Sequence, residues 1–284
     1  MTHTNSLRAA SAVLLAILAV PAASAQEAHG ATLPKAGALF ERHIEATGGA
    51  EARRAILTRK RTGKLEVDMA GHVFGAKVVE HSKAPGSNHV LLDGSAFSQV
   101  SVTNGKEAWE WRPDARDHGD RDTGATDTHL LSGDPKVRAL SKARLHAALE
   151  WRETYTSVET VRETEVSGKP AYEVRALRKG GGEFWLSFDK HSGRLVKRAS
   201  TQTLDQMGTT KMEVHLEDYA QTGGVWEPMT VRVQLDSDQF GEGVQLWTYS
   251  KVEVNPKIAA SLFELPAELK HADHAEHTGS GQHE

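Results

Sequence analysis

Leu216–Val233 reads LEDYAQTGGVWEPMTVRV, and its order of residues decides the fold. On its N-terminal side Met212, Val214 and Leu216 alternate with Glu213, His215 and Glu217, the period-two pattern of a half-buried strand. After Gly223-Gly224 the alternation resumes, with Val231, Val233 and Leu235 set against Arg232, Gln234 and Asp236. Two such runs around a glycine pair predict a β-hairpin. Pro228 cannot donate a ladder hydrogen bond, so it belongs at a strand start or on an edge.

Working outward, the same pattern recurs on both sides. Leu65, Val67 and Met69 alternate with charged residues, and further strand-like runs cover 78–81, 89–92, 97–102 and 108–111. Gly71, Pro85-Gly86, Asp93-Gly94 and Asn104-Gly105 punctuate them, the last a strong hairpin signal. A second block covers 158–166, 171–177, 184–188, 195–203 and 244–249. Gly180–Gly182 reads as a turn between strands, since no helix-opening GxGxxG surrounds it.

Helical spacing is confined to two places. Leu39, Phe40, His43, Ile44 and Thr47 fall on one helix face, stopped by Gly48-Gly49, with a shorter turn expected over 50–57. Asp134-Pro135 opens a second helix expected to run to about Leu149, with Val137, Leu140, Leu145 and Ala148 inward. The expectation is an α+β fold. One large curved antiparallel sheet of about ten strands forms a half-barrel, with helices covering the concave face. A small apolar ligand would occupy the hollow between them.

Bulk properties narrow the function. Arg8, the apolar run 9–20 and Ala23-Ser24-Ala25 read as a secretory signal peptide cut after Ala25, too short to span a bilayer. The expected divisions are this signal at 1–25, a flexible leader at 26–34, the domain at 35–267 and a tail at 268–284. The chain is therefore expected to be exported, soluble and periplasmic. Gln26 after the cut offers no cysteine for acylation, and the chain has no Cys at all, so disulfides and thiolate sites are excluded. Removing Arg8 from 34 basic residues leaves 33 against 38 acidic, a net of −5, which disfavours nucleic acid and anionic lipid surfaces as partners. No cofactor motif is present, and neither a GxSxG elbow nor SxxK supports catalysis.

Five stretches, in order, resemble the LolA/LolB-like superfamily of periplasmic lipoprotein carriers. They are HIEATGGAEARRAILTRKRTGKLEV (43–67), NGKEAWEWRPDA (104–115), EFWLSFDKHSGRLVKR (183–198), LEDYAQTGGVWEPMTVRV (216–233) and NPKIAASLFELP (255–266). The resemblance implies the half-barrel and a role in holding an acyl chain, lipid or lipoprotein, without catalysis. It also implies that Asn255, Ile258, Phe263 and Pro266 pin the last element. The lid-locking arginine of the dedicated carrier has no match here, and neither HxxEH nor HExxH of the peptidases fused to some relatives occurs.

Candidate ligand-binding residues are Trp109 and Trp111, which share one face of a strand, Trp247 and Tyr249, which share another, and Trp226 at the hairpin tip. Ordinary sheet packing is the competing reading for each. In the tail, His271, His274 and His277 have a spacing that suits zinc, nickel or copper, so metal buffering is the alternative function. A solvated tail is the plainer reading of the same residues. Asp114, Asp117, Asp120 and Asp122 lie in an expected loop, 113–127, whose spacing is not that of a calcium site. A third possibility is a scaffold offering a sheet edge to a partner protein.

Overall fold

The computed structural model describes residues 32–95, 97–112, 128–204 and 207–270. The expected signal peptide, the loop 113–127 and the histidines of the tail lie outside the described residues. The described residues from Leu33 on form one compact unit.

Two helices come first, α1 (Ala36–Ala46) and α2 (Gly49–Arg54). Five strands and a short sixth follow: β1 (Thr58–Met69), β2 (His72–Lys83), β3 (Ser87–Gly94), β4 (Ser98–Asn104), β5 (Ala108–Trp111) and β6 (His129–Leu130). Helices α3 (Gly133–Lys142) and α4 (Trp151–Thr154) lead to β7 (Tyr155–Val166), β8 (Lys169–Arg178), β9 (Glu183–Asp189) and β10 (Leu195–Leu204). The strands end with β11 (Gly208–Thr222), β12 (Val225–Ser237) and β13 (Gly241–Val254), and two 3-10 turns, Ala260–Phe263 and Ala267–Lys270, complete the described chain.

All thirteen strands form one antiparallel sheet in the order β6-β5-β4-β3-β2-β1-β13-β12-β11-β10-β9-β8-β7. Two meanders meet where β13 pairs with β1, at the middle, and β6 and β7 are the free edges. The opening hairpin is β11–β12, with Thr222 opposite Val225 and a two-residue loop whose glycines both have positive φ, 59° and 82°. Only glycine enters that turn without steric cost. Pro228 pairs with Tyr219 on one side, while the β12–β13 ladder begins only at Thr230, so its missing N–H breaks no bond there. The tip docks on the α1–α2 corner, where Trp226 N–H donates to Thr47 O at 3.1 Å.

The sheet curls into a half-barrel, and α3 shows how far. Ten inter-strand steps separate β5 from β8, which would place them about 48 Å apart if flat. Yet Lys136 of α3 pairs at 2.6 Å with Glu107, at the start of β5, while Ser141 accepts a bond from Arg178 at the end of β8. The helix rises only about 7.5 Å between those two residues. The limbs must therefore approach each other beneath α3.

Register assigns two faces. On the inner face Leu65 stands opposite Ala76 and Trp247, and the same face continues through Val233, Val214, Arg198, Leu186 and Val174. There α1 packs Leu39, Phe40 and Ile44, with Trp151, against Val174, Ala176, Leu186 and Phe188. Phe40 stacks on Trp151 at 4.6 Å between ring centres. His43 on the same helix is buried, and its Nδ1 accepts the Leu195 N–H at 3.1 Å. The outer face at the other limb carries Val100, Val102 and Trp109, covered by Phe263 and Leu269 of the C-terminal turns. Asn255 pins this segment: its Oδ1 accepts the N–H groups of Leu57 and Thr58 at 2.7 and 3.2 Å, and its Nδ2 donates to Ala55 O.

Several expectations change. Among the described residues the sheet has thirteen strands rather than about ten. The helix expected to reach Leu149 stops at Lys142, because Leu145 N–H leaves the helical ladder to bond Pro85 O at 3.1 Å in the β2–β3 turn. Val137, expected inward, is 55% exposed, since α3 bridges the limbs without packing on a core.

An ionic cluster closes the α2 end of the inner face. Arg61 donates to Glu80 through Nε at 3.1 Å and stacks on Tyr249 at 4.1 Å, and Arg59 pairs with Glu227 at 2.7 Å. Burial pushes the Glu80 carboxyl up, but Arg61 and Arg59 outweigh it and hold it below its usual value. Removing one partner of such a set leaves buried charge uncompensated. Glu80→Gln should therefore lower the unfolding free energy by about 3–5 kcal/mol in urea melts at pH 7. A loss below about 1 kcal/mol, the size for an exposed pair, would mean that water already screens these arginines.

Burial, then Arg53 and Arg194, lowers the His43 pKa to about 3. The folded chain then binds fewer protons than the unfolded chain between that value and about 6.5, so stability rises with pH across this window. Moving from pH 7 to pH 5 should cost about 2 kcal/mol through this residue alone. His43→Gln keeps an acceptor for Leu195 and should remove that part of the slope. Urea midpoints at both pH values compare the two chains, and equal slopes would refute the assignment.

Candidate functional site

The inner face is not filled uniformly. Its central stretch is an apolar floor across five adjacent strands. Leu92 comes from β3, Phe74 and Val78 from β2, Leu65, Val67 and Met69 from β1, Trp247 and Tyr249 from β13, and Met229 and Val231 from β12. Leu65, Val67, Val78 and Tyr249 are buried, while Met69, Phe74, Leu92, Met229, Val231 and Trp247 remain half-buried. Among the described residues no residue of α1–α4 belongs to this cluster. Alternation explains the floor along β1: Leu65, Val67 and Met69 point inward, and the intervening Lys64, Glu66 and Asp68 point out.

Above the floor lies α3. It is tied to both limbs, yet none of its ten residues is buried. With α3 spanning the rims and contributing no residue to the floor's cluster, the concavity between them is the candidate hollow. One end of the hollow is closed by α1 against β8 and β9, and another by the Arg61–Glu80–Tyr249 cluster. Burial and the nearby Glu80 carboxylate raise the Tyr249 phenol, although Arg61 opposes them, so this hydroxyl stays protonated and donates to Glu80 at 3.3 Å.

The structure separates the aromatic residues singled out in the sequence. Trp247 and Tyr249 line the inner floor. Trp109 and Trp111 share a face as expected, but it is the outer one, paired with Val102 and Val100. Trp109 is 1% exposed beneath Phe263 and Leu269, a packing role. Trp226 is half-buried at the hairpin tip, with the Arg194 guanidinium 4.2 Å above its ring. His271, His274 and His277 lie outside the described residues. Among the described residues no group of three or more His, Asp or Glu side chains is placed to hold a metal ion. No helix among them is long and apolar enough to cross a membrane.

Charged residues of the hollow escaped the sequence reading. Arg198 stands on the inner face of β10, in one lateral row with Val214, Val233, Gln245 and Val67. A bulge between Leu195 and Lys197 sets that orientation. Without it, Leu195 and Lys197 would share a face and Arg198 would point outward. Plain alternation along LVKRAST therefore gives the wrong side, and no local signal marks the bulge.

No protein-family model and no curated protein matches the sequence. Solved structures do. A DUF1329 family protein from Desulfovibrio piger aligns over 82% of this chain and 98% of its own at 11% identity, with a TM-score of 0.56. A LolA superfamily protein from Nitrosomonas europaea aligns over 82% and 99% at 12% identity, with a TM-score of 0.53. A putative outer membrane lipoprotein-sorting protein domain from Vibrio parahaemolyticus aligns over 79% and 97% at 12% identity, with a TM-score of 0.50. At such identities the likeness is one of architecture, and in that sense the resemblance read from the five sequence stretches is borne out: the chain has the LolA-like fold.

Proposed function

We propose that this chain is an exported periplasmic binding protein that holds an acyl chain, a lipid or the acyl part of a lipoprotein in the hollow beneath α3, without catalysing a reaction. The observation that carries the proposal is the five-strand apolar floor, half open to solvent under a helix that does not pack on it. Contiguous exposed apolar surface is costly in water and marks a binding site in soluble proteins. Trp247, Met229 and Val231 supply a rigid ring, a pliable thioether and a branched side chain, a set that suits flexible hydrocarbon better than a rigid polar ligand. The likeness to a putative lipoprotein-sorting domain supports the same reading at the level of fold.

The test uses chain beginning at Gln26, stripped of lipid and titrated with the neutral fluorescent probe N-phenyl-1-naphthylamine. Saturable binding with displacement by long-chain amphiphiles is expected. Val231→Asp should weaken it at least tenfold, because a carboxylate on the floor must be desolvated by the bound hydrocarbon. Val73→Asp, on the outer face and 74% exposed, should leave it unchanged. Absence of saturable binding, or equal loss from both variants, would overturn the proposal.

A further inference from the structure

The four cations Arg138, Lys142, Arg178 and Arg198 converge on the α3 side of the hollow. Arg138 and Lys142 are one turn apart on α3, while Arg178 on β8 and Arg198 on β10 share the inner face. Arg178 bonds Ser141 of α3, which fixes the helix over this part of the sheet. None of the four is in an ion pair among the described residues. On the outer face, by contrast, Lys64, Lys197, Lys211 and Arg232 each face a carboxylate within 3.1 to 3.4 Å. In a chain with 34 basic and 38 acidic side chains, this local surplus is not a product of composition.

Exposure and electrostatics both set this cluster apart. Lys142 and Arg198 are open to solvent. Even so, both are held below their ordinary pKa, first by the surrounding protein and then by neighbouring cations: Arg198 and Arg138 act on Lys142, and Arg178 acts on Arg198. Glu110 on β5 opposes the shift of Lys142, and Tyr155 opposes that of Arg198. Arg198 stands on the concave face of the curled sheet, and Lys142 is on the helix that bridges its limbs, so solvent reaches both while protein surrounds them. The cations there repel one another, and an incoming anion would relieve that repulsion.

The cluster is continuous with the apolar floor. In the lateral row through Arg198 the next inner-face side chains are Val214 on β11 and Val233 on β12, followed by Gln245 on β13 and Val67 on β1. Beyond Arg198 the row passes to Leu186 and Val174, which α1 covers, so its uncovered part carries charge at one end and mainly hydrocarbon along it, the complement of an amphiphile. We propose that the hollow selects amphiphiles with an anionic headgroup, a phosphate or carboxylate seated between Arg198 and the α3 pair Arg138 and Lys142, with the hydrocarbon laid along the floor toward β1. The inference rests on the hydrocarbon-binding reading above and adds the headgroup.

Four competitors with the same twelve-carbon tail separate the two ideas: dodecyl phosphate, dodecanoate, dodecylphosphocholine and dodecyl maltoside. Each is titrated, below its micelle concentration, against bound N-phenyl-1-naphthylamine. Dodecyl phosphate, dodecanoate or both should displace the probe at concentrations at least about tenfold lower than the maltoside, the size of one or two charge-assisted hydrogen bonds. The pair of anions shows whether phosphate or carboxylate is the better headgroup. The preference should shrink as salt is raised.

In Arg138→Gln/Lys142→Gln, two changes on an unburied helix that leave folding intact, the ratio of anionic to neutral affinity should fall toward one. Arg198→Gln should do the same, and Arg198→Lys should restore part of it. Equal displacement by all four competitors, or a ratio unmoved in the α3 double variant, overturns the headgroup site while leaving the hydrocarbon site standing. Failure of the probe itself to bind removes both.

Discussion

The antiparallel pairing of β1 with β13 is the contact on which everything else depends. It joins the two meanders at the centre of the sheet, and Asn255 locks it by bonding Ala55, 200 residues away in sequence. Loop-closure entropy opposes contacts of such separation, so this seam must be supported by much local strength on either side. Sequence-adjacent hairpins supply that strength, because every other strand pair except β5–β6 is joined by a short connection. The seam is also where the inner face changes character along β1, from Arg59 and Arg61 at the α2 end to Leu65, Val67 and Met69 beyond. Gly63 stands at that change. A Cβ there would lie 2.1 Å from Thr248 O, so the close approach of β13 at the bulge requires glycine.

Curvature turns this seam into a site. A flat sheet of thirteen strands would present one open apolar surface, but closure under α3 converts the same residues into a sheltered floor. The side chains at the rims differ from those at the centre. The α1 side is solid aromatic packing around Phe40, Trp151 and Phe188. The α3 side is wet and cationic. In the proposed role the centre would hold hydrocarbon and the rim would orient it.

The sequence carried most of the fold and little of the site. Strand alternation at Leu65–Met69 and Met212–Leu216 is strict, because one face is packed and the other meets water, so the hairpins and the α+β class were legible. The end of α3 was not, because a single long-range bond from Leu145 to Pro85 competes with the helical ladder, and nothing near Lys142 announces it. The aromatic pairs were placed on their strands correctly, but parity within one strand does not say which face is inner. Trp109 and Trp247 sit on opposite sides of one sheet, and only the register across the strands between them shows it. Arg198 was hidden for a related reason, since the bulge at Leu195–Lys197 reverses parity where the sequence shows none of the usual punctuation.

An open sheet of this size also leaves two borders, and they are guarded differently. At one border β6 is only two residues long, too brief a template for a further strand. At the other, β7 runs twelve residues but carries Glu159, Arg162, Glu163 and Glu165, and its ladder with β8 is interrupted twice. Charges and kinks of that kind resist stacking by a second chain. The molecule can thus keep an incomplete barrel, open along its side, without becoming a seed for fibrils.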